Sequence, residues 1–378
     1  MQNSNPQNYL RVFYCISQNK LNHLPFLIFV YTTNNFGAEV KIKLAFLSII
    51  LSLLSTNINS QNSNNHLSGP YLGQKLPGLK AEIFAPGIIS TGMSTRDIAI
   101  TPDGKEIYFV VFGPAFTFST ICFTKEVNGI WAEPEVASFA ADSKYKYIEP
   151  CISYDGMKIF FASNKTSNDS TSGKNDFDIW YAERNGNGWG EAKNLGNPVS
   201  TSSPEFFPSL TKEGTIYFTR ENENGTNSIM RSKFENGKYS EPEVLPEQIN
   251  FGVDRFNAFI DPDEKYLIVS VFRAKNGFGA TDYYIVFRNA DDTWREPINM
   301  GDKINTAFNE YSPYVSPDGK YFFFMSMKPN ETLFSSDKKF TYDKLKTIHN
   351  SPGNGNAATY WIDARVIDEL KKSIPYKN

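Results

Sequence analysis

The stretch "YVSPDGKYFFF", residues 314–324, recurs four more times in altered spelling. "AITPDGKEIYF" ends at Phe109, "CISYDGMKIFF" at Phe161, "SLTKEGTIYF" at Phe218 and "FIDPDEKYLIV" at Val269. Aligned on Asp103, Asp155, Glu213, Asp263 and Asp318, the copies stand 52, 58, 50 and 55 residues apart. A period near fifty, written in strand and turn residues, is the mark of propeller blades. Each unit reads as four strands. Strand a runs into the Pro-Asp-Gly turn, whose residues pre-set and tolerate turn geometry. Strand b is the aromatic run that follows. Strand c is carried by "FDIWYAER" (177–184), "NSIMRSKF" or "DYYIVFRN", and strand d by "GIWAEPEV", "NGWGEAKNLGNPVST", "GKYSEPEVLPEQIN" or "DTWREPINMGDKINT". A lone blade leaves both faces bare, so several must stack around an axis.

The ends of the repeat region set the count. The last unit has a strand a, a strand b and, in "AATYWIDARVI" (357–367), a strand c, but no strand d. Near the start, "LKAEIFAPGIISTG" (79–92) resembles a strand d without a blade. The expected fold is therefore all-β: a β-propeller of four-stranded antiparallel blades, five in number, closed by an N-terminal strand that also removes exposed sheet edges. Six blades is the alternative, if residues 330–355 hide a degenerate unit.

The chain has 378 residues, 40% of them hydrophobic and 15% aromatic, enough for a large core of strand-favouring side chains. A net charge of −3 argues against nucleic acid or an anionic membrane surface as partner. Residues 41–61, "KIKLAFLSIILSLLSTNINSQ", have a short basic start, an apolar run and small polar residues, the layout of a secretory signal peptide. The run is too short to span a bilayer comfortably. It begins forty residues in, so residues 1–39 are expected to be a non-native extension from a misassigned start, with Val40 as initiator. A long n-region or a signal anchor is the alternative. Mass spectrometry would decide: a mature N-terminus upstream of Val40 sinks the misassigned start. The expected domains are 1–39 extension, 40–60 signal peptide, 61–78 leader and 79–378 propeller. The location would be periplasmic or secreted, with no stable membrane insertion after signal removal. No Cys follows the apolar run, so no lipid anchor is expected there. Cys122 and Cys151, the two cysteines beyond it, lie in strand-like runs and read as buried free thiols.

"SPDGKYFFF" with "FDIWYAERNGNGWGEAKNLGNPVST" resembles the bacterial WD40-like, TolB-type propeller repeats, especially the propeller halves found beside OmpA-like domains in envelope proteins. The resemblance covers about residues 79–367. It implies the fold and is weak for function. The chain stops soon after the last strand, so the peptidoglycan binding of an OmpA-like domain is not implied.

Chemistry is sparse. The three histidines, His23, His66 and His349, all lie outside the repeat frame, which leaves no base for a Ser-His-Asp triad and no histidine metal site. No phosphate loop or sialidase-type box is present. No catalytic residue, metal or cofactor is expected. What remains is an acid at the start of each strand a, namely Asp97, Glu149, Glu205, Asp254 and Glu310. Arg96 and Arg255 stand beside two of them, and Lys165, Arg273 and Lys328 follow strand b. Arg220 replaces a small residue found in the other blades, at Val111, Ser163, Val271 and Ser326. Three readings are open: structural pairing, a site for a glycan, peptide or envelope protein, or paired carboxylates as in glycoside hydrolases. The ligand-site hypothesis names Arg96, Asp97, Glu149, Glu205, Arg220, Asp254, Arg255, Arg273 and Glu310. The leading function is a non-catalytic binding or scaffolding module of the cell envelope; a carbohydrate-active enzyme is the alternative. A cation site from Asp169, Asp176 and Asp178 in the polar loop 164–177 is a weaker candidate. Trp131, Trp189 and Trp294 recur at one strand-d position and read as packing residues.

Overall fold

The computed structural model describes residues 67–166, 176–335 and 339–372. The chain divides into 1–65 and 66–378, and every described residue belongs to the second unit. The expected extension, the signal peptide and Asp169 lie outside the described residues. Among the described residues no helix is long and apolar enough to cross a membrane.

Five four-stranded antiparallel blades account for the repeats. Strand β1 (Glu82–Ile83) stands apart. Blade 1 has β2 (Ser94–Ile100), β3 (Glu106–Phe112), β4 (Ser119–Val127), the short extension β5 (Ile130–Trp131) and β6 (Glu135–Val136). Blade 2 has β7 (Tyr147–Ile152), β8 (Lys158–Ser163), β9 (Asp178–Asn185), the extension β10 (Gly188–Trp189) and β11 (Lys193–Asn194). Blade 3 has β12 (Glu205–Leu210), β13 (Ile216–Glu221), β14 (Asn227–Ser232), a hairpin of β15 (Phe234–Glu235) and β16 (Lys238–Tyr239), then β17 (Glu243–Val244). Blade 4 has β18 (Asp254–Ile260), β19 (Tyr266–Phe272), β20 (Thr281–Phe287) and β21 (Ile298–Asn299). Blade 5 has β22 (Glu310–Val315), β23 (Tyr321–Ser326) and β24 (Ala358–Asp363), and takes β1 as its outermost strand. The inner strands neighbour one another in a closed ring, β2 to β7, β12, β18, β22 and back to β2.

The count is five, closed by the N-terminal strand: Glu82 pairs Trp361 and Ile83 pairs Tyr360. The six-blade alternative fails because residues 330–355 carry helices at Thr332–Ser335 and Tyr342–His349 instead of strands. The recurrent tryptophans Trp131 and Trp189 sit on β5 and β10, the first halves of the outer strand, which pairs antiparallel with strand c and shifts by one residue before β6 and β11. One smaller difference concerns the last strand. The end of "AATYWIDARVI" turns into a helix, Arg365–Lys372.

The core is not central. It is divided into five apolar clusters, one at each junction between blades. This explains the unbroken apolar spelling of strand b, which is covered by a blade on each side. Residues 67–78, read as a leader, lie against the closing junction. Trp131 of blade 1 donates through Nε1 to the Gly69 carbonyl at 2.8 Å, and Tyr71 packs edge-on against Tyr321 and at a tilt against Trp361 of blade 5. Cys122 and Cys151 are unpaired and half-buried, and burial raises their thiols to about 11 and about 12.

Candidate functional site at the propeller axis

Every inner strand is broken at one residue, where the pairing with strand b shifts register. The residues at the break are Asp97, Glu149, Phe207, Asn257 and Ser312, all with left-handed backbones (φ 51–66°). Such a backbone is costly for a residue with a side chain, and here it turns amide N–H groups toward the preceding blade. Glu149 N–H donates to Asp97 Oδ2 at 3.2 Å, Phe207 N–H to Glu149 Oε2 at 2.7 Å, and Asn257 N–H to Thr219 Oγ1 at 3.1 Å.

The five expected acids therefore do not form one ring. Asp97 and Glu149 stand at the break itself. Glu205 and Glu310 stand two residues before it, where strand b faces them with Arg220 and Ser326. Asp254 stands one residue further out, opposite Phe272. The frame that placed Arg220 level with Ser163, Val271, Val111 and Ser326 is correct; the equivalence of the acids is not.

At the axis, Arg96 Nη2 donates to Glu149 Oε1 at 2.7 Å and its Nε to Asp97 Oδ1 at 2.8 Å. Asn257 Nδ2 donates to the same Glu149 oxygen at 3.2 Å, and the Arg96 guanidinium lies 4.7 Å from the centre of the Tyr311 ring. One buried cluster thus touches all five blades: Arg96 and Asp97 from the first, Glu149, Phe207, Asn257, and Tyr311 from the last. Burial opposes the Arg96 charge, but Asp97 and Glu149 outweigh it and hold the guanidinium above its ordinary range. Burial pushes the Glu149 carboxyl up to about 7, against the pull of Arg96.

That shift has a stability signature. Glu149 ionises later in the folded chain than its ordinary value of 4.5, so the native state holds an extra proton between those pH values. Stability is expected to fall as pH rises through that window, by about 3 kcal/mol at most from this group. Denaturant unfolding at a series of pH values should show the slope, and Glu149→Gln should flatten it. Burial also raises Glu205 and Glu310, so a smaller slope of the same sign remains in the variant. A wild type that grows more stable from pH 5 to 7 would contradict the assignment.

The acids and cations away from the axis serve the loops that lead into the inner strands. Glu205 accepts from Thr201 N–H at 2.9 Å, Thr201 Oγ1 at 2.6 Å and Arg220 Nε at 2.8 Å. Arg220 also donates to the Val199 carbonyl at 2.9 Å. Glu310 repeats the pattern with Thr306 N–H at 2.9 Å, Thr306 Oγ1 at 2.6 Å and Ser326 Oγ at 2.7 Å. Arg255 ties down three carbonyls, those of Phe251, Asn227 and Gly252. Asp254 accepts from Asn227 N–H and Nδ2. Arg273 lies over the Phe272 ring and Lys165 over the Trp180 ring.

Beyond the break the inner strands enclose a narrow cavity of about 70 Å³, lined by Asp97 and Glu149 at one end and by Ile100, Cys151, Leu210 and Tyr314. Among the described residues no cluster of three His, Cys, Asp or Glu side chains could hold a metal ion. Asn257, Phe207 and Tyr311 were not singled out from the sequence. For Phe207 and Tyr311 the signal was the proline that follows the break in "IEPC", "FFPS" and "YSPY"; the blade of Asn257 has Ala258 there instead.

No protein-family model matches the chain, and neither does any curated protein. Solved structures do. A protein assigned as TolB from Agrobacterium tumefaciens is 13% identical, with a TM-score of 0.42, over 72% of this chain and 90% of that one. TolB from Acinetobacter baumannii is 16% identical, with a TM-score of 0.41, over 72% of this chain and 57% of that one. An alpha-L-arabinofuranosidase from Lactobacillus brevis is 14% identical, with a TM-score of 0.44, over 74% of this chain and 92% of that one. Both kinds of protein stand at equal distance, and similarity this remote does not choose between them.

Proposed function

We propose that the chain is an exported, non-catalytic propeller that serves as a binding or scaffolding module of the bacterial cell envelope, with a protein, peptide or glycan as ligand. One observation carries the reading. The carboxylates at and around the axis are engaged by fixed donors, and the cavity they reach, about 70 Å³, falls well short of the roughly 300–1,000 Å³ of small-molecule sites. Hydrolysis of a glycoside needs two carboxylates facing a space that admits the sugar. Here Asp97 and Glu149 face Arg96. The signal-peptide layout of residues 40–60 supports export, and the repeat spelling supports the envelope setting.

The second reading, a carbohydrate-active enzyme, draws on one specific feature: Glu149 is a buried carboxyl raised to about 7 beside a second acid, as a general acid requires. Incubation of the purified chain with polysaccharides and aryl glycosides separates the two. No release of sugar is expected. Turnover that Glu149→Gln abolishes would overturn the binding-module reading.

A further inference from the structure

The clefts between neighbouring blades differ in chemistry. The cleft between blades 1 and 2 is lined by Lys105, Glu106, Lys125, Glu126 and Arg184 and has no aromatic side chain. The cleft between blades 2 and 3 encloses about 490 Å³ and gathers the rings of Tyr154, Phe160, Tyr181, Phe234 and Tyr239. Phe160 lies deep, with Tyr181 and Tyr239 half-buried beside it, while Tyr154 is 45% exposed and Phe234 37%. Phe234 and Tyr239 come from the β15–β16 hairpin, whose rings pack 5.0 Å apart. Gly214 lies beneath that hairpin with a φ of +87°, a backbone that side-chain-bearing residues rarely adopt.

We infer that this cleft is a binding site for a short, neutral oligosaccharide. A sugar ring offers an apolar C–H face bordered by hydroxyls, so it asks for exposed aromatic faces with hydrogen-bonding groups at their margins. Tyr154 and Phe234 supply the faces. Asn197, Asp155, Glu213 and Lys238 supply the margins. The hydroxyls of Tyr181 and Tyr239 at the floor make no hydrogen bond to a described residue. Lys158 is paired with Glu183 and Lys212 with Asp263, which leaves Asp155, Glu213 and Lys238, a net charge of −1 along the lining. An anionic ligand would find no cationic excess to hold it. The volume lies within the range of small-molecule sites.

The assignment rests on the chain being a binding module, and the two can fail separately. Isothermal titration of the purified chain with cello-, xylo-, arabino-, manno- and chito-oligosaccharides of three to six units should find at least one series that binds. Tyr154→Ala and Phe234→Ala, both at exposed positions, should each weaken that binding by about tenfold, the loss expected for one well-stacked ring. Tyr342→Ala, on a distant exposed helix, should not. Three outcomes overturn the site: no series binds at millimolar concentration, binding survives both groove variants, or a proline-rich peptide binds there and no sugar does. Hydrolysis of a bound sugar at the axis, insensitive to the groove variants, would instead overturn the binding-module reading.

Discussion

Phe84→Ala is expected to destabilise the propeller by about 3–5 kcal/mol, the range for truncating a large aromatic side chain in a closed core. Phe84 follows the two residues of β1, is fully buried, and stands 5.0 Å from the rings of both Phe323 and Trp361. Strand β1 itself contributes only two paired residues, so its hold on blade 5 depends on this side chain and on the Phe84 N–H bond to the Thr359 carbonyl at 2.8 Å. Loss of the anchor also bares the edge of β24, which makes the variant prone to association. Chemical denaturation with light scattering measures both. A loss below about 1 kcal/mol would mean that the closure is held elsewhere, by the strap of residues 67–78.

Arg96→Met is expected to cost a similar amount, about 3–5 kcal/mol, by a different route. The guanidinium is the shared cationic partner of Asp97 and Glu149, both nearly inaccessible to water. Removing it leaves two acids facing each other in a medium that solvates neither, and protonation of Glu149 can relieve only one of them. Adding Glu149→Gln to the same chain should restore part of the loss, since the amide carbonyl still accepts the Phe207 N–H bond. A double-mutant cycle reads the coupling directly. If Arg96→Met alone is neutral and the pair shows no coupling, the axial cluster is not what joins the blades.

The blade count, the antiparallel order and the closing strand were legible because they rest on spacing and on a missing strand at one end matched by a spare one at the other. The Arg220 substitution was legible for the same reason: it lies in strand b, which is regular, so counting residues keeps the frame. The ring of acids was misread because acids at unequal distances from the turn were taken as equivalent. Counting back six residues from the turn reaches the left-handed residue in every blade, from Asp103 to Asp97 and from Glu213 to Phe207. Glu205 and Glu310 lie eight residues before it and Asp254 nine, so only Asp97 and Glu149 share one position. The cleft between blades 2 and 3 was invisible for another reason. Its rings come from three separate segments, around Tyr154, Tyr181 and Phe234, which only the stacking of blades brings together.

The closing junction also sets an order of events in time. Ser90 and Thr359, hydrogen-bonded across it, are 269 residues apart in the chain. The partner of β1, strand β24, is made only after all the other strands, so the first strand waits unsatisfied until then. The last blade is thus completed by a search between distant segments whose entropic cost grows with the length of the intervening chain. Contacts this distant slow the final step. The ring stays open until all five blades have been made.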